Sequence, residues 1–435
     1  MQLNSWVYGE LCGFPLQSLY FGMMNDTELY RQLLGLEAPW HVDRVELDFP
    51  GESVHVFVDF PLEAAFECPE CGEPAPRYNR REQRLWRHLD TMQFKTYLVA
   101  SVPRVDCPRH GVQTVKVSWS EPHSRFTLLF ERLAIAVLKA TAVQSKACSL
   151  LRLSAGQMHD VMERAVARGL QRRDRNEQLP HLSLDEKSFQ KGHKYITVLG
   201  DPLQKRVLEI IQDRTLEATE KLLTSTLNQA QREAVQSVSM DMWPAFMAAR
   251  EKTLPEADTV HDRFHVAAYL NNAVDMTRRS ENRRLLKEED KSLSKSKYLW
   301  LKSDKNLSEK QRAALENLQG LELETAKVWA FKEHFRDFFA CTTIDTARTF
   351  LRQWYEAARA LGNTHLSKVA RMLNDHKEGL LAYIEHKVSN ASAESLNAQI
   401  QHVKACARGY RTFSNFRIAI LFFLGKLELN PQESP

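Results

Sequence analysis

Apolar side chains recur at different periods in different parts of this chain, and the changes of period divide it. Val42, Val45 and Leu47, then Val54, Val56 and Val58, alternate with polar residues. A period of two predicts strands, and Pro50-Gly51 between the two runs predicts the turn of an antiparallel pair. Trp86, Leu89, Tyr97, Val99 and Val102 supply further strand-like positions. From Phe126 the spacing becomes helical. Leu128, Leu129, Leu133, Ile135, Ala136 and Leu138 fit one helix, and a short second one covers about 143–151. Ser154 is the expected N-cap of a third, with Met158, Val161, Met162 and Val166 on its apolar face. Upstream, Asp26, Thr27, Glu28, Leu33 and Leu34 give helix character, and residues 1–23 read as an extension of little structural consequence.

Residues 171–180 are polar and end in Pro180, as a linker would. Strand-like runs follow at Leu182–Leu184, Tyr195–Leu199 and Val207–Ile211, then a helix over 215–229 and a fourth strand over Val235–Met240. Pro244 to Arg250 reads as a helix with proline in its first turn. Thr259-Val260-His261 is a short fifth strand before a helix starting near Arg263. This mixed α/β order is that of a ribonuclease-H-like core. Residues 275–388 show no strand pattern. They are charged and helical, with Trp300, Trp329, Phe331, Phe335, Phe338, Trp354 and Tyr355 as apolar anchors, and read as an all-helical insertion. The expected fold class is a multidomain α/β protein. Its predicted divisions are an N-terminal segment (1–41), a zinc-binding module (42–122), a helix-turn-helix (123–172), the first part of the core (180–274), the insertion (275–388), the final helix region of the core (389–426) and a tail (427–435).

Composition narrows the picture little. A hydrophobic fraction of 43% and a charged fraction of 26% are ordinary for a globular protein, and a net charge of +4 is uninformative until its distribution is considered. Arg77, Arg80, Arg81, Arg84 and Arg87 crowd one stretch, Arg164 to Arg175 another and Arg278 to Lys310 a third. Each alone is as well explained by solvated surface; three beside a helix-turn-helix, whose third helix would enter the major groove, point to nucleic acid. Seven cysteines, unevenly spaced, exclude a disulfide framework and suggest a reducing cytoplasm. No apolar run approaches the roughly 20 residues that span a bilayer; the longest, Ile418 to Leu424, suits a buried strand or helix. The first residues lack a basic n-region, so no signal peptide is expected.

Two constellations carry chemistry. Cys68-Pro-Glu-Cys71-Gly and Cys107-Pro-Arg-His110-Gly are paired knuckles. Three thiolates and an imidazole suit one tetrahedral structural Zn2+, and the glycine after each pair permits the tight turn that aims backbone amides at sulfur. The second constellation is three acids from distant segments: Asp185 in Ser183-Leu184-Asp185-Glu186, Asp241 in Met240-Asp241-Met242-Trp243, and Glu394 in Asn390 to Asn397. Two sit at strand ends and the third opens a helix, which would gather them around two hard cations about 3.5–4 Å apart. Each has a plainer reading. Asp185 could be a loop carboxylate or N-cap, with Glu186 as a rival; Asp241 could cap a helix; Glu394 could be a first-turn acid favoured by the helix dipole. On that helix Glu394, Asn397 and Gln401 share a polar face, while Leu396, Ile400 and Val403 line another. His265, in His261-Asp262-Arg263-Phe264-His265, either contacts DNA or a leaving phosphate or caps the next helix.

In combination these motifs, with Ala407-Arg408-Gly409-Tyr410-Arg411, resemble the ISL-three family of insertion-sequence transposases of acid-triad (Asp-Asp-Glu) type, over roughly residues 24–426. The resemblance implies a zinc-binding N-terminal domain, a helix-turn-helix and a catalytic domain interrupted by a helical insertion. It makes Asp185, Asp241 and Glu394 the metal-binding triad and Asp262 and His265 an accessory signature. The implied reaction is phosphoryl transfer on double-stranded DNA: cleavage at the element's inverted repeats, then attack of the freed 3′-hydroxyl on target DNA. Two Mg2+ ions, replaceable by Mn2+, suit the carboxylates, with Asp185 bridging both. Recognition of the ends falls to the third helix, with Gln157 and His159 as exposed candidates. The protein would work as a homo-oligomer on DNA, cytoplasmic and nucleoid-associated, with no membrane partner. The rival readings are a catalytically idle DNA-binding regulator derived from a transposase, and a metal-dependent nuclease on RNA or branched DNA.

Overall fold

The computed structural model describes residues 25–190, 194–261, 263–302, 306–386 and 391–432, with only the backbone of 391–394. The readings made on residues 1–23, on Asp262 and on the Glu394 side chain fall outside the described residues. The chain divides into two compact units, 25–136 with 430–432, and 137–429.

In the first unit the elements run α1 (Asp26–Leu33), β1 (His41–Asp48), β2 (Ser53–Asp59), β3 (Phe66–Glu67), β4 (Pro74–Ala75), β5 (Arg77–Arg80), β6 (Arg84–Arg87), β7 (Lys95–Ala100), β8 (Pro103–Cys107) and β9 (Gly111–Thr114). Asn25 caps α1 by accepting a hydrogen bond from the Glu28 amide. β1 and β2 pair antiparallel across the Pro50-Gly51 turn, with Val45 opposite Val56. The apolar positions between the two knuckles belong mostly to this same sheet, whose order is β1-β2-β7-β6. β7 lies parallel to β2 and antiparallel to β6. Trp86 and Leu98, each at most 1% exposed, bury against Val56, Trp40 and Trp119 in one core. Trp119 stands edge-on to Trp40 at 4.9 Å and to Trp86 at 5.7 Å. A parallel pairing between segments this far apart leaves no local mark in the sequence. The knuckles occupy smaller pieces: the β3-β4 hairpin and the three-stranded sheet β5-β8-β9.

Three helices follow: α2 (Leu128–Thr141), α3 (Gln144–Leu151) and α4 (Ala155–Gln171). α2 buries Phe130, Ala134, Ile135 and Leu138, whereas Leu129 and Leu133 are 37% and 39% exposed. Both sets keep an i, i+4 spacing, so the sequence admitted either face and packing chose between them. α3 ends on Arg152 in the left-handed region, φ 55°. α4 begins with a capping box in which Ser154 and Gln157 satisfy each other's backbone amides.

The second unit is built on strands β10 (His181–Gln190), β11 (Lys194–Asp201), β12 (Arg206–Gln212), β13 (Ser237–Met240) and β14 (Asp258–His261), in the order β12-β11-β10-β13-β14. β10, β11 and β12 form an antiparallel meander, and β13 and β14 add on parallel to β10 and to each other. Each parallel strand is reached over a helix, as parallel pairing requires: α5 (Leu216–Thr226) and the short α6 (Gln229–Glu233) precede β13, and α7 (Pro244–Thr253) precedes β14. Leu182, Leu184, Val238 and Met240 share one core with Leu222, Leu223 and Phe246 of α5 and α7.

Beyond the sheet, α8 (Arg263–Lys287) leads into α9 (Lys297–Leu301), α10 (Glu309–Gln319), α11 (Glu324–His334), a 3-10 turn (Phe335–Ala340), α12 (Ile344–Ala360), α13 (Thr364–Asp375) and α14 (Lys377–His386). Trp300, Phe335, Phe338, Trp354, Leu366 and Leu380 anchor their core. α11 has no side-chain cap of its own. The buried carboxylate of Glu281 on α8 accepts from the Glu324 and Thr325 amides instead, at 2.8 Å each, satisfying the open end of α11. The chain then forms α15 (Ala391–Cys406) and α16 (Phe413–Leu424). The long apolar run 418–424 is thus a helix. Its neighbour Arg417 pairs with Glu209 of β12, which docks α16 on that strand.

Candidate active site and metal centre

The two knuckles meet in the first unit. Cys68 and Cys71 lie in the turn of the β3-β4 hairpin, and Cys107 and His110 at the turn between β8 and β9. Gly72 and Gly111, at φ 72° and 66°, take the left-handed conformation these turns require. His110 Nδ1 stands 3.6 Å from the sulfurs of Cys68 and Cys107, and the Cys71 and Cys107 sulfurs are 3.8 Å apart. All four ligand atoms fall within 4.8 Å of one another. A tetrahedral ion with Zn–S of about 2.3 Å and Zn–N of about 2.05 Å requires edges of about 3.8 Å and about 3.6 Å, so the donor set and spacing fit zinc. Backbone amides at Glu73 and Arg109 are the main cause pulling the Cys71 and Cys107 thiols below the usual range, which favours thiolate; burial pushes Cys68 up.

The acids lie in the second unit. Ser183 of β10 is opposite Ser239 of parallel β13. Asp185 lies in the middle of β10 rather than at a strand end, and Asp241 directly follows the last residue of β13, each two residues beyond that pair. Asp185 Oδ2 accepts from Asn397 Nδ2 at 2.6 Å and lies 3.0 Å from Lys187 Nζ. Asp241 Oδ1 accepts from its neighbour Met242 N at 2.6 Å and from the Tyr269 hydroxyl at 3.2 Å; its Oδ2 is 3.5 Å from His265 Nδ1. Burial first, then the Asp241 carboxylate, push the Tyr269 phenol up to about 12, so it remains a hydrogen-bond donor at neutral pH. Glu186 pairs with Arg214 at 2.6 Å, Arg214 stacks between Tyr195 and Trp243, and the Glu186 charge also reaches Tyr269.

Glu394 belongs to the first turn of α15, three residues before Asn397. Leu396, Ile400 and Val403, the expected apolar face of that helix, are buried. Asn397 holds Asp185 and Lys404 donates to the Ser188 carbonyl at 2.8 Å, so α15 is tied to β10 at two levels. Sequence reasoning missed Lys187 and Tyr269. Lys187 was legible as the next same-face residue after Asp185, and Tyr269 lies one helical turn beyond His265. The other two predicted residues behave differently from each other. The Gln157 side chain is engaged by Ser154 N at 2.9 Å, and His159 is only half-buried. A further group at the far end of the sheet, Asp258, Glu385 and His386, is accounted for by the Asp258–His386 pair at 2.8 Å.

Residues 182–420 match a family model for DDE transposases of the ISL3 type, described as transposase. Residues 64–110 match one described as the zinc-finger of transposase IS204/IS1001/IS1096/IS1165. The chain belongs to the ISL-three (ISL3) family of transposases. Relatives of known name agree. The transposase for insertion sequence element IS1557 of Mycobacterium tuberculosis is 25% identical over 417 residues, covering 89% of this chain and 93% of that protein. The transposase for insertion sequence element IS1001 of Bordetella parapertussis is 25% identical over 404 residues, covering 91% and 98%. This transposase is therefore an enzyme acting on DNA, with a zinc ribbon near its N-terminus and a mixed α/β DDE domain. Among the described residues of the transposase, no helix is long and apolar enough to cross a membrane.

Proposed function

We propose that the transposase cuts and joins DNA at a two-cation centre held by Asp185, Asp241 and Glu394. The Asn397–Asp185 hydrogen bond carries this reading, because it ties the helix that bears Glu394 to the strand that bears Asp185. Residues three apart on a helix share a face, and Glu394 joins the triad on that spacing from Asn397. The sheet order supports a ribonuclease-H-like core: a three-stranded meander and two added parallel strands, with one acid in the middle of the first strand and one directly after the fourth.

Two divalent cations, Mg2+ with Mn2+ as substitute, would activate the attacking hydroxyl and stabilise the leaving oxygen. The donor set fits them: both aspartates are partly exposed, and Asp185 Oδ1 has no partner among the described residues. Asn397 and Tyr269 fix the two carboxylates by one hydrogen bond each. Lys187 supplies compensating charge at Asp185 and is placed to meet a DNA phosphate. Asp262 and His265 would serve as the accessory signature, His265 through its 3.5 Å approach to Asp241. One Zn2+ on Cys68, Cys71, Cys107 and His110 holds the ribbon together and does no chemistry.

α2, α3 and α4 are the helix-turn-helix, supported by the left-handed Arg152 and the capping box that opens α4. With Gln157 occupied by its cap, His159 is the better candidate of the two for a base contact. The domain divisions at 122, 172, 274 and 388, cytoplasmic action and assembly on DNA as a homo-oligomer belong to the same proposal.

The test uses purified full-length protein and DNA carrying the repeats that flank its reading frame. Asp185→Asn, Asp241→Asn and Glu394→Gln should each cut cleavage and strand transfer by about a thousandfold or more, the scale of a lost metal interaction of several kcal/mol, with repeat binding retained. Cleavage retained by Asp241→Asn overturns the assignment.

A further inference from the structure

Apart from both centres, the first unit holds an open concavity of about 910 Å3. Arg80, Arg81, Arg84, Arg104 and Arg125 line it, against the single carboxylate of Glu82. Three of the five arginines are held in place. Arg84 donates to the Ser124 carbonyl at 3.2 Å and lies 4.8 Å over the buried Trp86 ring. Arg80 pairs with Asp59 at 2.7 Å over Phe60, and Arg104 donates to Asn79 at 2.8 Å. Arg81 and Arg125 have no carboxylate within ion-pair distance among the described residues. The cluster feels its own charge: burial first, then Arg81 and Arg125, pull the Arg84 guanidinium below its ordinary range.

Like charges held this close repel, so the arrangement costs stability unless an anion completes it. Guanidinium forks match phosphate oxygens two at a time. Arginines from β5, β6 and β8 and the segment before α2, spread around one concavity, fit a row of phosphates better than a single small anion.

We propose that this arginine basin grips the phosphate backbone of duplex DNA, as a sequence-independent contact separate from base reading by α4. The inference rests on the DNA-binding reading only for its choice of polyanion.

Full-length protein, titrated across salt concentrations against one duplex ending in the element's repeat and one of scrambled sequence, tests it. The double variant Arg81→Ala/Arg125→Ala should make the log–log salt dependence of binding shallower by about 2 on both duplexes, the counterions of two lost phosphate contacts. Its preference for the repeat and its zinc content should be unchanged. Arg81→Lys/Arg125→Lys keeps the charge and should keep the slope. An unchanged slope in the alanine variant overturns the proposal, as does a lysine variant damaged as badly as the alanine one. Wild-type protein that binds the repeat no better than the scrambled duplex would instead sink the α4 reading, leaving the slope comparison on scrambled DNA intact.

Discussion

The zinc ribbon and the acid centre solve opposite problems. The ribbon's four ligands come from two short turns within residues 64–110, each shaped by its own glycine and its own backbone amides. The ligand atoms already stand at tetrahedral spacing, so the centre is closed and its use is structural. The acids come from two strands and a helix separated by the whole helical insertion. The carboxylates of Asp185 and Asp241 are partly exposed and are held by neutral or cationic neighbours: Asn397, Tyr269, His265 and Lys187. The proposed catalytic centre would have to admit water and a phosphodiester, so it could not be closed, and carboxylates left open need such neighbours to stay oriented.

Metal removal should break this comparison most widely. Chelating zinc, or replacing Cys71 by serine, should unfold the ribbon, since structural zinc sites contribute about 10 kcal/mol or more of apparent binding energy to folding. Removing Mg2+ should abolish cleavage and leave both units folded. Hydrogen exchange with metal analysis reads both arms. Freshly purified protein without zinc, or a ribbon equally protected after chelation, would refute the distinction.

Acid should separate the units less sharply. Each holds a buried histidine depressed to about 4, mainly by burial: His88, also repelled by Arg87, and His261, also repelled by His376. The folded form stays neutral while the unfolded chain, near 6.5, takes up the proton. Stability is therefore complete above about 6.5 and is lost as pH falls toward 4, by up to about 3 kcal/mol per histidine. Zinc ligands must be deprotonated to bind, so the first unit carries an added loss. Thermal melts across this window should fall for both units and further for the first. A stability that is flat between pH 7 and 4 contradicts the burial argument.

The smallest effect sharpens the acid centre itself. Tyr269→Phe removes one hydrogen bond to a charged acceptor, about 1.5–3 kcal/mol, so cleavage should slow about tenfold to a hundredfold with repeat binding unchanged. Glu186→Gln touches an ion pair that is a third exposed, and should change the rate by less than about fivefold. Equal losses in the two variants would mean that Glu186 takes part in the centre and that Asp185 alone is the wrong choice on β10.

Much of this architecture was legible because its signals are local. Alternation marked β1 and β2, and short apolar runs marked the strands of the second unit; Cys-x-x-Cys spacing marked the ribbon; Ser154 and Pro244 marked helix starts. Where two local readings competed, the sequence could not choose. Leu129 and Leu133 fit the same helical spacing as Ile135 and Leu138 but are exposed, and 418–424 could have been strand or helix. Gln157 looked free to read bases, yet its side chain completes a capping box that the Ser154 spacing already announced.

By itself the sequence determined which residue types could bind metal, in what order along the chain, and the family to which they belong. Tertiary structure decided what surrounds them. The parallel pairing of β2 with β7 draws Trp86 into the first core. The parallel register of β10 with β13 sets Ser183 opposite Ser239, two residues before each aspartate, and the docking of α15 brings Asn397 to Asp185. The two levels differ for a physical reason: period, caps and knuckles arise from interactions within a few residues and are written locally, whereas long-range pairing depends on which buried surfaces fit together once the chain has collapsed.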